Sequence, residues 1–259
     1  MTKNIKSQFD LDGRVAIVTG ASKGIGKYIA QGLAESGARV IISSRKQEAV
    51  DAVAEEFNAM GLEAIGIECH VGDAKQRESL ISAAMKHYGR IDILVNNAAI
   101  NPFYGPLESA DEMVFDKIMD VNVKAPWILS NLVLPHMKAN KGGSIINISS
   151  VEGIHPGFGL GLYSVTKSAL IMLTKNQAKE WGPYGIRSNV VCPGLIKTKF
   201  SEGLWKNDKL VEGYMSAVPL HRIAEPEEMA GLVMLLASDA GSYMTGGVYA
   251  ADGGYLISG

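Results

Sequence analysis

Tyr163-Ser164-Val165-Thr166-Lys167 opens a stretch of helical pattern, and at this spacing the tyrosine and lysine share one helix face, a turn apart. Upstream, the β-rich run Ser144-Ile145-Ile146-Asn147-Ile148 ends on Ser149-Ser150, and a loop carrying Gly153, Pro156, Gly157, Gly159 and Gly161 leads into the helix. A phenol, an ammonium and a strand-end hydroxyl can thus converge on one point. Such a set suits proton transfer to or from a carbonyl or alcohol oxygen. A free phenol titrates near ~10, and an adjacent ammonium is expected to lower that value by stabilising the phenolate. Taken alone, Y-x-x-x-K equally describes a half-buried tyrosine beside a solvated lysine, so the surrounding elements must decide.

Those elements alternate. Short β-branched strands are expected at 14–19, 38–43, 64–68, 91–95, 144–149, 186–191 and 248–250, and amphipathic helices between them, the first after Gly26 and closed at Gly37. The later helices are expected at 47–60, 73–88, 113–134 with a local disturbance at Pro126, 163–181, and from Pro226 to about 236. Strand–helix alternation from the start is the pattern of a parallel sheet with helices on both faces. Residues 195–225 show no clean period and hold Phe200, Trp205, Tyr214 and Met215. With no linker, repeat or low-complexity segment, residues 1–259 are expected to form one α/β domain.

The bulk numbers exclude several classes. Of 259 residues, 47% are apolar and 20% charged, and the formal net charge of -2 points to neither a nucleic-acid nor a membrane partner. Cys69 and Cys192 have no metal-type spacing, so two free thiols in a reduced cytoplasmic compartment are expected, with no metal site. The polar, basic stretch 1–8 lacks the apolar core of a secretory signal, no run approaches a membrane span, and Leu256-Ile257-Ser258-Gly259 is not the peroxisomal address.

Between the first strand and helix lies Thr19-Gly20-Ala21-Ser22-Lys23-Gly24-Ile25-Gly26. A glycine loop in that context lets backbone amides approach a dinucleotide pyrophosphate, and the helix N-terminus favours its charge. An acid at the end of the second strand would hold the adenosine ribose of NAD. This chain has Ser43-Ser44-Arg45-Lys46-Gln47 there. Arg45 can clamp a 2′-phosphate bidentately and Lys23 can add a second cation, so NADP(H) is expected in preference to NAD(H).

Thr19-Gly20-x-x-x-Gly24-x-Gly26, Asn96-Asn97-Ala98-Ala99, Asn122, Ser150, Tyr163-x-x-x-Lys167 and Pro193-Gly194 occur in order across this pattern. Together they resemble the single-domain short-chain dehydrogenase/reductase family over residues 10–259. Asn96–Phe103 and Pro193–Thr198 look like its NADPH-dependent carbonyl and retinal reductases. The resemblance implies a Rossmann-type, doubly wound, seven-stranded parallel sheet and a homotetramer. It implies that Tyr163 exchanges the proton with the carbonyl or alcohol oxygen and that Ser150, thirteen positions before it, hydrogen-bonds that oxygen. Lys167 would hold the nicotinamide ribose and lower the tyrosine's pKa, and Asn122 would anchor a water linking Lys167 to solvent. The cofactor would lie against Gly20, Ser22, Lys23, Gly24, Ile25 and Gly26, then Ser44, Arg45, Val71, Asn97 and Ala98, then Pro193, Gly194, Ile196 and Thr198, besides Tyr163 and Lys167. Two positions depart from the pattern: His70 stands where an acid often contacts adenine, and Ala99 replaces the usual glycine.

Substrate contacts are expected from Phe103, His155, Phe158, Leu195 and Trp205, a mostly apolar set that favours a bulky or aromatic ketone. The leading expectation is an NADPH-dependent oxidoreductase interconverting a ketone and a secondary alcohol. A 3-oxoacyl carrier-protein reductase is the alternative. In that group a basic pair docks the carrier, and the matching places here are Lys141 and Tyr184, so half is present. A sugar or polyol dehydrogenase and a non-catalytic NADPH sensor rank below; a sensor would be expected to lose the tyrosine or lysine that this chain keeps.

Overall fold

The computed structural model describes residues 4–258. Met1–Lys3 and Gly259, at the ends of the two stretches read above for targeting signals, lie outside the described residues.

Seven strands form one parallel sheet in the order β3-β2-β1-β4-β5-β6-β7. They are β1 (Val15–Thr19), β2 (Arg39–Ser44), β3 (Ala64–Glu68), β4 (Ile93–Asn96), β5 (Gly143–Ile148), β6 (Ile186–Pro193) and β7 (Val248–Ala251). The order reverses between β1 and β4, so their carboxyl ends open a crevice of the kind in which doubly wound sheets bind ligands. Because side chains alternate along a strand, each strand feeds two cores. Ala16, Val18, Val40 and Ile42 pack with helices α1 (Gly24–Glu35) and α2 (Gln47–Ala59). Val15, Ile17 and Ile41 pack on the other face with α3 (Ala74–Tyr88) and, through Leu129, Val133 and Met137, the helix Ala125–Ala139. Burial on both faces is why these strands read as continuous apolar runs.

Register at the amino end of the sheet is pinned by Asp92. Its buried carboxylate accepts from the Val15 amide at 2.9 Å and from Arg90 Nε and Nη2 at 2.8 and 2.7 Å. The acid ties β1 to β4 at the end remote from the crevice, leaving the carboxyl ends to diverge.

Three expectations need correction. The helix expected over 113–134 is α4 (Glu112–Met119), a π-helical turn Asp120–Lys124 and α5 (Ala125–Ala139). The disturbance expected at Pro126 takes the form of this π turn, which ends two residues before it in an otherwise continuous helical run, where the missing N–H of Pro126 interrupts the i→i−4 ladder. The stretch 195–225 contains α7 (Glu202–Trp205) and α8 (Asp208–Ala217), after α6 (Gly161–Trp181). Two glycines and several β-branched or polar residues masked their period. Pro226 opens a 3-10 turn, Pro226–Met229, that leads into α9 (Ala230–Ala237).

Candidate active site

The carboxyl ends of β1, β4, β5 and β6 surround a cavity of about 1730 Å³. Drug-sized pockets hold roughly 300–1,000 Å³, so this one has room for a dinucleotide and a second molecule. Each residue expected to contact cofactor lines it: Gly20 to Gly26 on one side, Ser44, Arg45 and Val71 beyond, Asn97 and Ala98 below, and Pro193, Gly194, Ile196 and Thr198 opposite.

The glycine loop is held from beneath. Thr19 Oγ1 accepts from the amides of Asn97 and Ala98 at 3.0 and 3.1 Å, and Asn97 Nδ2 donates to the carbonyls of Thr19 and Gly20 at 2.9 and 3.1 Å. Gly20 and Gly24 have φ of +66° and +58°, a region that side-chain-bearing residues rarely occupy. A Cβ on Gly20 would come within 2.9 Å of Asn97 Nδ2 and the Ala98 Cα. The loop thus presents bare backbone at the start of α1, and Lys23 and Arg45 stand exposed on the cavity wall. A cradle without side chains, a helix N-terminus and two cations fit a phosphorylated dinucleotide.

β5 and α6 supply the reacting groups. β5 ends at Ile148, and of the two serines that follow it is Ser150 whose hydroxyl acts on the Tyr163 phenol, favouring its ionised form. Ser149 is buried and donates to the Lys167 carbonyl at 2.8 Å, anchoring α6 to the strand. Lys167, 2% exposed, donates to the Ile148 carbonyl at 2.8 Å and lies 5.4 Å from the centre of the Tyr163 ring. Asn122 sits in the π turn, behind the cavity wall. Its side chain accepts from the Ile100 amide and donates to the Ile100 carbonyl, both at 2.9 Å, and donates to Thr166 Oγ1 at 3.1 Å. The wider turn brings this side chain to α6 and to the loop after β4 together.

Electrostatics correct one expectation. Burial pushes the Tyr163 phenol up; the hydrogen bond with Ser150 is the main opposing influence, while Glu152 and Cys192 add to the rise. No downward pull from Lys167 surfaces, because its ammonium is turned to a carbonyl and burial pushes it down to about 8. With its hydroxyl on the cavity, Tyr163 is suited to hold a proton at neutral pH and release it to a partner.

Lys167 also couples stability to pH. Its native pKa of about 8 lies below the free value of 10.5, so between them the unfolded chain binds a proton that the native state has released. Stability rises with pH across that window by up to about 1.4 kcal/mol per unit. Above 9 the thiols of Cys69 and Cys192, pushed up to about 11 mainly by burial, act in the opposite sense. Urea unfolding of wild type against Lys167→Met cancels most of the thiol contribution. Wild type is expected to gain about 1–2 kcal/mol on the variant between roughly pH 8 and 9.5; a flat difference would mean that Lys167 titrates as in the unfolded chain.

The substrate side of the cavity differs from expectation. Phe158 and Leu195 line it, whereas Phe103, His155 and Trp205 do not. Tyr104 takes the place beside Phe103 and covers Gly159; His155 is exposed; and the Trp205 indole donates to the Thr198 carbonyl at 2.7 Å, bracing the 195–225 segment from within. Phe200 reaches the centre, 6.1 Å between rings from Tyr163. Sequence reasoning missed Glu152, Tyr214 and Tyr255 on this wall. Glu152 stands two residues after Ser150, a signal that was available; Tyr214 and Tyr255 meet through tertiary packing, with rings 5.1 Å apart, and had none. His70 lines the far end, its Nδ1 accepting from the Gly72 amide at 3.1 Å. Cys69 and Cys192 are free and buried, and no cluster able to hold a metal occurs among the described residues.

A doubly wound sheet with a bare glycine cradle facing a Ser–Tyr–Lys set defines the class of nicotinamide-dinucleotide oxidoreductases. The family model described as Enoyl-(Acyl carrier protein) reductase matches residues 20–256. Dehydrogenase/reductase SDR family member 4 of Oryctolagus cuniculus is 46% identical over 244 residues, 94% of each chain. Dehydrogenase/reductase SDR family member 2, mitochondrial, of Homo sapiens is 44% identical over 236 residues, covering 91% of this chain and 84% of that protein. A solved structure of a gluconate 5-dehydrogenase from Burkholderia cenocepacia, in complex with NADP and tartrate, superposes with a TM-score of 0.95 at 33% identity over 98% of this chain and 99% of the other. The chain belongs to the short-chain dehydrogenase/reductase family and has its NAD(P)-binding fold. No helix among the described residues is long and apolar enough to cross a membrane.

Proposed function

We propose that this protein is an NADPH-dependent reductase that converts ketones to secondary alcohols, reversibly. The convergence of Ser150, Tyr163 and buried Lys167 on the cavity that the glycine cradle also lines carries this reading. The bound nicotinamide supplies or accepts the hydride. Tyr163 donates the proton to the carbonyl oxygen and takes it back in oxidation, while Ser150 donates a hydrogen bond to that oxygen. Lys167 holds the ribose edge, and Asn122, fixed between Ile100 and Thr166, keeps the polar path behind Lys167 in place. Phe200 and Leu195 present apolar surface beside the reacting centre. The test is nicotinamide absorbance against aromatic ketones, diketones, a sugar ketone and a 3-oxoacyl thioester, with either cofactor.

The same reading takes residues 1–259 as one cytoplasmic dinucleotide-binding domain assembling as a homotetramer, for which exposed Trp127, Val165 and Met172 on α5 and α6 offer contact surface. A carrier-protein reductase is the second reading, favoured by the description of the matching family model. At the places that would dock a carrier stand Lys141 and, in place of a second basic residue, Tyr184, over whose ring the Lys138 ammonium lies 3.7 Å from the centre. Efficient turnover of an acyl-carrier thioester, well above that of simple ketones, would reverse the order.

Preference for NADPH rests on Arg45 and Lys23. Arg45→Asp removes a bidentate partner and adds a like charge, so NADPH affinity is expected to fall about 30-fold while NADH affinity changes little or improves. Titration by nicotinamide fluorescence decides; unchanged NADPH affinity sinks the assignment.

A further inference from the structure

Glu152 has no place in the proton-transfer set, yet stands at its edge. It lies in the 3-10 turn Val151–Gly153, and its amide donates to the Ser150 hydroxyl at 3.1 Å. Its Oε2 accepts from the Gly157 amide at 2.6 Å and from the Ser164 hydroxyl at 3.0 Å. Donors from the loop and from α6 thus lock the carboxylate in one orientation. The residue lines the cavity with Ser150, Tyr163 and Tyr214, and among the described residues both donors go to Oε2, so Oε1 keeps its capacity to accept. Among the described residues Glu152 forms no ion pair, and the nearby cations are engaged elsewhere. Lys167 is turned to the Ile148 carbonyl, Lys197 faces Glu225 at 3.8 Å, and Lys206 pairs with Glu202, which Lys199 also attends. On α4 and the π turn, Asp116, Lys117 and Asp120 line the opposite rim, Asp120 paired with Lys124 at 2.9 Å. Behind Tyr214, Asp252 is occupied by the amides of Gly254 and Leu256. The uncompensated charge reaches the reacting centre: after burial and the Ser150 hydrogen bond, Glu152 is the next influence on the Tyr163 phenol, in the upward direction.

We propose that Glu152 sets the charge class of the substrate, admitting neutral or cationic carbonyl compounds and rejecting those that carry a carboxylate close to the reacting carbon. A carboxylate lodged beside Glu152 would meet a like charge in a partly dry cavity, whereas an amide N–H or amidinium would donate to Oε1. The inference rests on the ketone-reductase reading for its rate assay but not for its binding assay.

The probes are para-acetylbenzamide, para-acetylbenzoate and para-acetylbenzamidine, nearly equal in shape and different in charge. With NADPH, wild type is expected to favour the amide over the carboxylate by about 30-fold in kcat/KM, the order expected for like charges about 8 Å apart at an effective dielectric near 20. Glu152→Gln keeps an acceptor for Gly157 and Ser164 and is expected to narrow that ratio to within about threefold, while Glu152→Asp keeps it wide. An unchanged ratio in Glu152→Gln overturns the proposal. Binding of the three probes to the NADPH complex, read by fluorescence quenching, gives the ranking without turnover. Loss of all turnover with the binding ranking intact sinks the reductase reading and leaves the charge filter standing; equal binding of amide and carboxylate sinks the filter alone. Should Glu152→Gln fail to fold, the wild-type ranking decides, and carboxylate bound as tightly as amide is the overturning result.

Discussion

Tyr163→Phe is expected to lower kcat for ketone reduction roughly a thousandfold, within the range that a positioned general acid contributes. The variant keeps the ring that packs 6.1 Å from Phe200 and removes only the hydroxyl that Ser150 meets. Lys167 remains bonded to the Ile148 carbonyl, so the fold of β5 and α6 is expected to survive. NADPH affinity is expected to change by less than about tenfold, since at most one hydrogen bond is lost. Steady-state rates and fluorescence titration on the same preparation separate these effects. Residual kcat within a few-fold of wild type would remove Tyr163 from the chemistry and return proton transfer to Ser150 or to water.

The second large effect belongs to Gly26. A Cβ there would press into the Gly20 carbonyl and Ala21 Cα of the loop and into Asn97 Nδ2, which holds that loop from beneath. Backbone cannot swing aside as a long side chain can, so Gly26→Ala must displace either the glycine loop or the strand beneath it. NADPH affinity is expected to fall at least about a hundredfold, and stability by about 1–3 kcal/mol. Gly231→Ala is the matched control. Gly231 is exposed, in the first turn of α9, with open space where its Cβ would stand, and alanine there is expected to be neutral or mildly stabilising. Wild-type NADPH affinity in Gly26→Ala would show that the loop does not seat the cofactor as proposed.

Much of this architecture was legible in the chain because its strands are buried on both faces. Runs such as Val15-Ala16-Ile17-Val18 have no alternation to confuse, and Gly37, Gly61 and Gly89 close the first three helices. The glycine loop, Asn97, Ser150, Tyr163 and Lys167 were legible because strand ends bring short motifs to one edge of a parallel sheet. What hid the rest was physical. A π turn differs from an α turn by one hydrogen-bond register, which leaves no composition trace, so Asp120–Lys124 read as continuous helix. The substrate wall comes from the 104–116, 150–160, 195–214 and 255 regions, whose side chains meet only when the chain is folded. Aromatic content pointed to Phe103 and Trp205; the fold turned Tyr104 inward and used Trp205 as a brace on Thr198. The expected influence of Lys167 on Tyr163 failed for a related reason, since spacing gives proximity but not where a buried ammonium turns.

The two halves of the cavity are built unequally, and this has a kinetic meaning. The dinucleotide half is cross-braced to the sheet by Thr19, Asn97 and Asn122 before anything binds. The other half, built from the 195–225 segment that forms a lid, bonds mainly within itself, through Thr198, Ser201, Trp205, Leu195–Tyr214 and Lys197–Ala224, and meets the chain beyond β7 through the Leu220 amide, which donates to the Gly253 carbonyl at 3.2 Å. A partner for the rigid half finds its seat formed and gives up little entropy of the protein, whereas a partner for the lid half must also order what covers it. Ligands should therefore arrive in sequence, the nucleotide first and the carbonyl compound second, and depart in reverse.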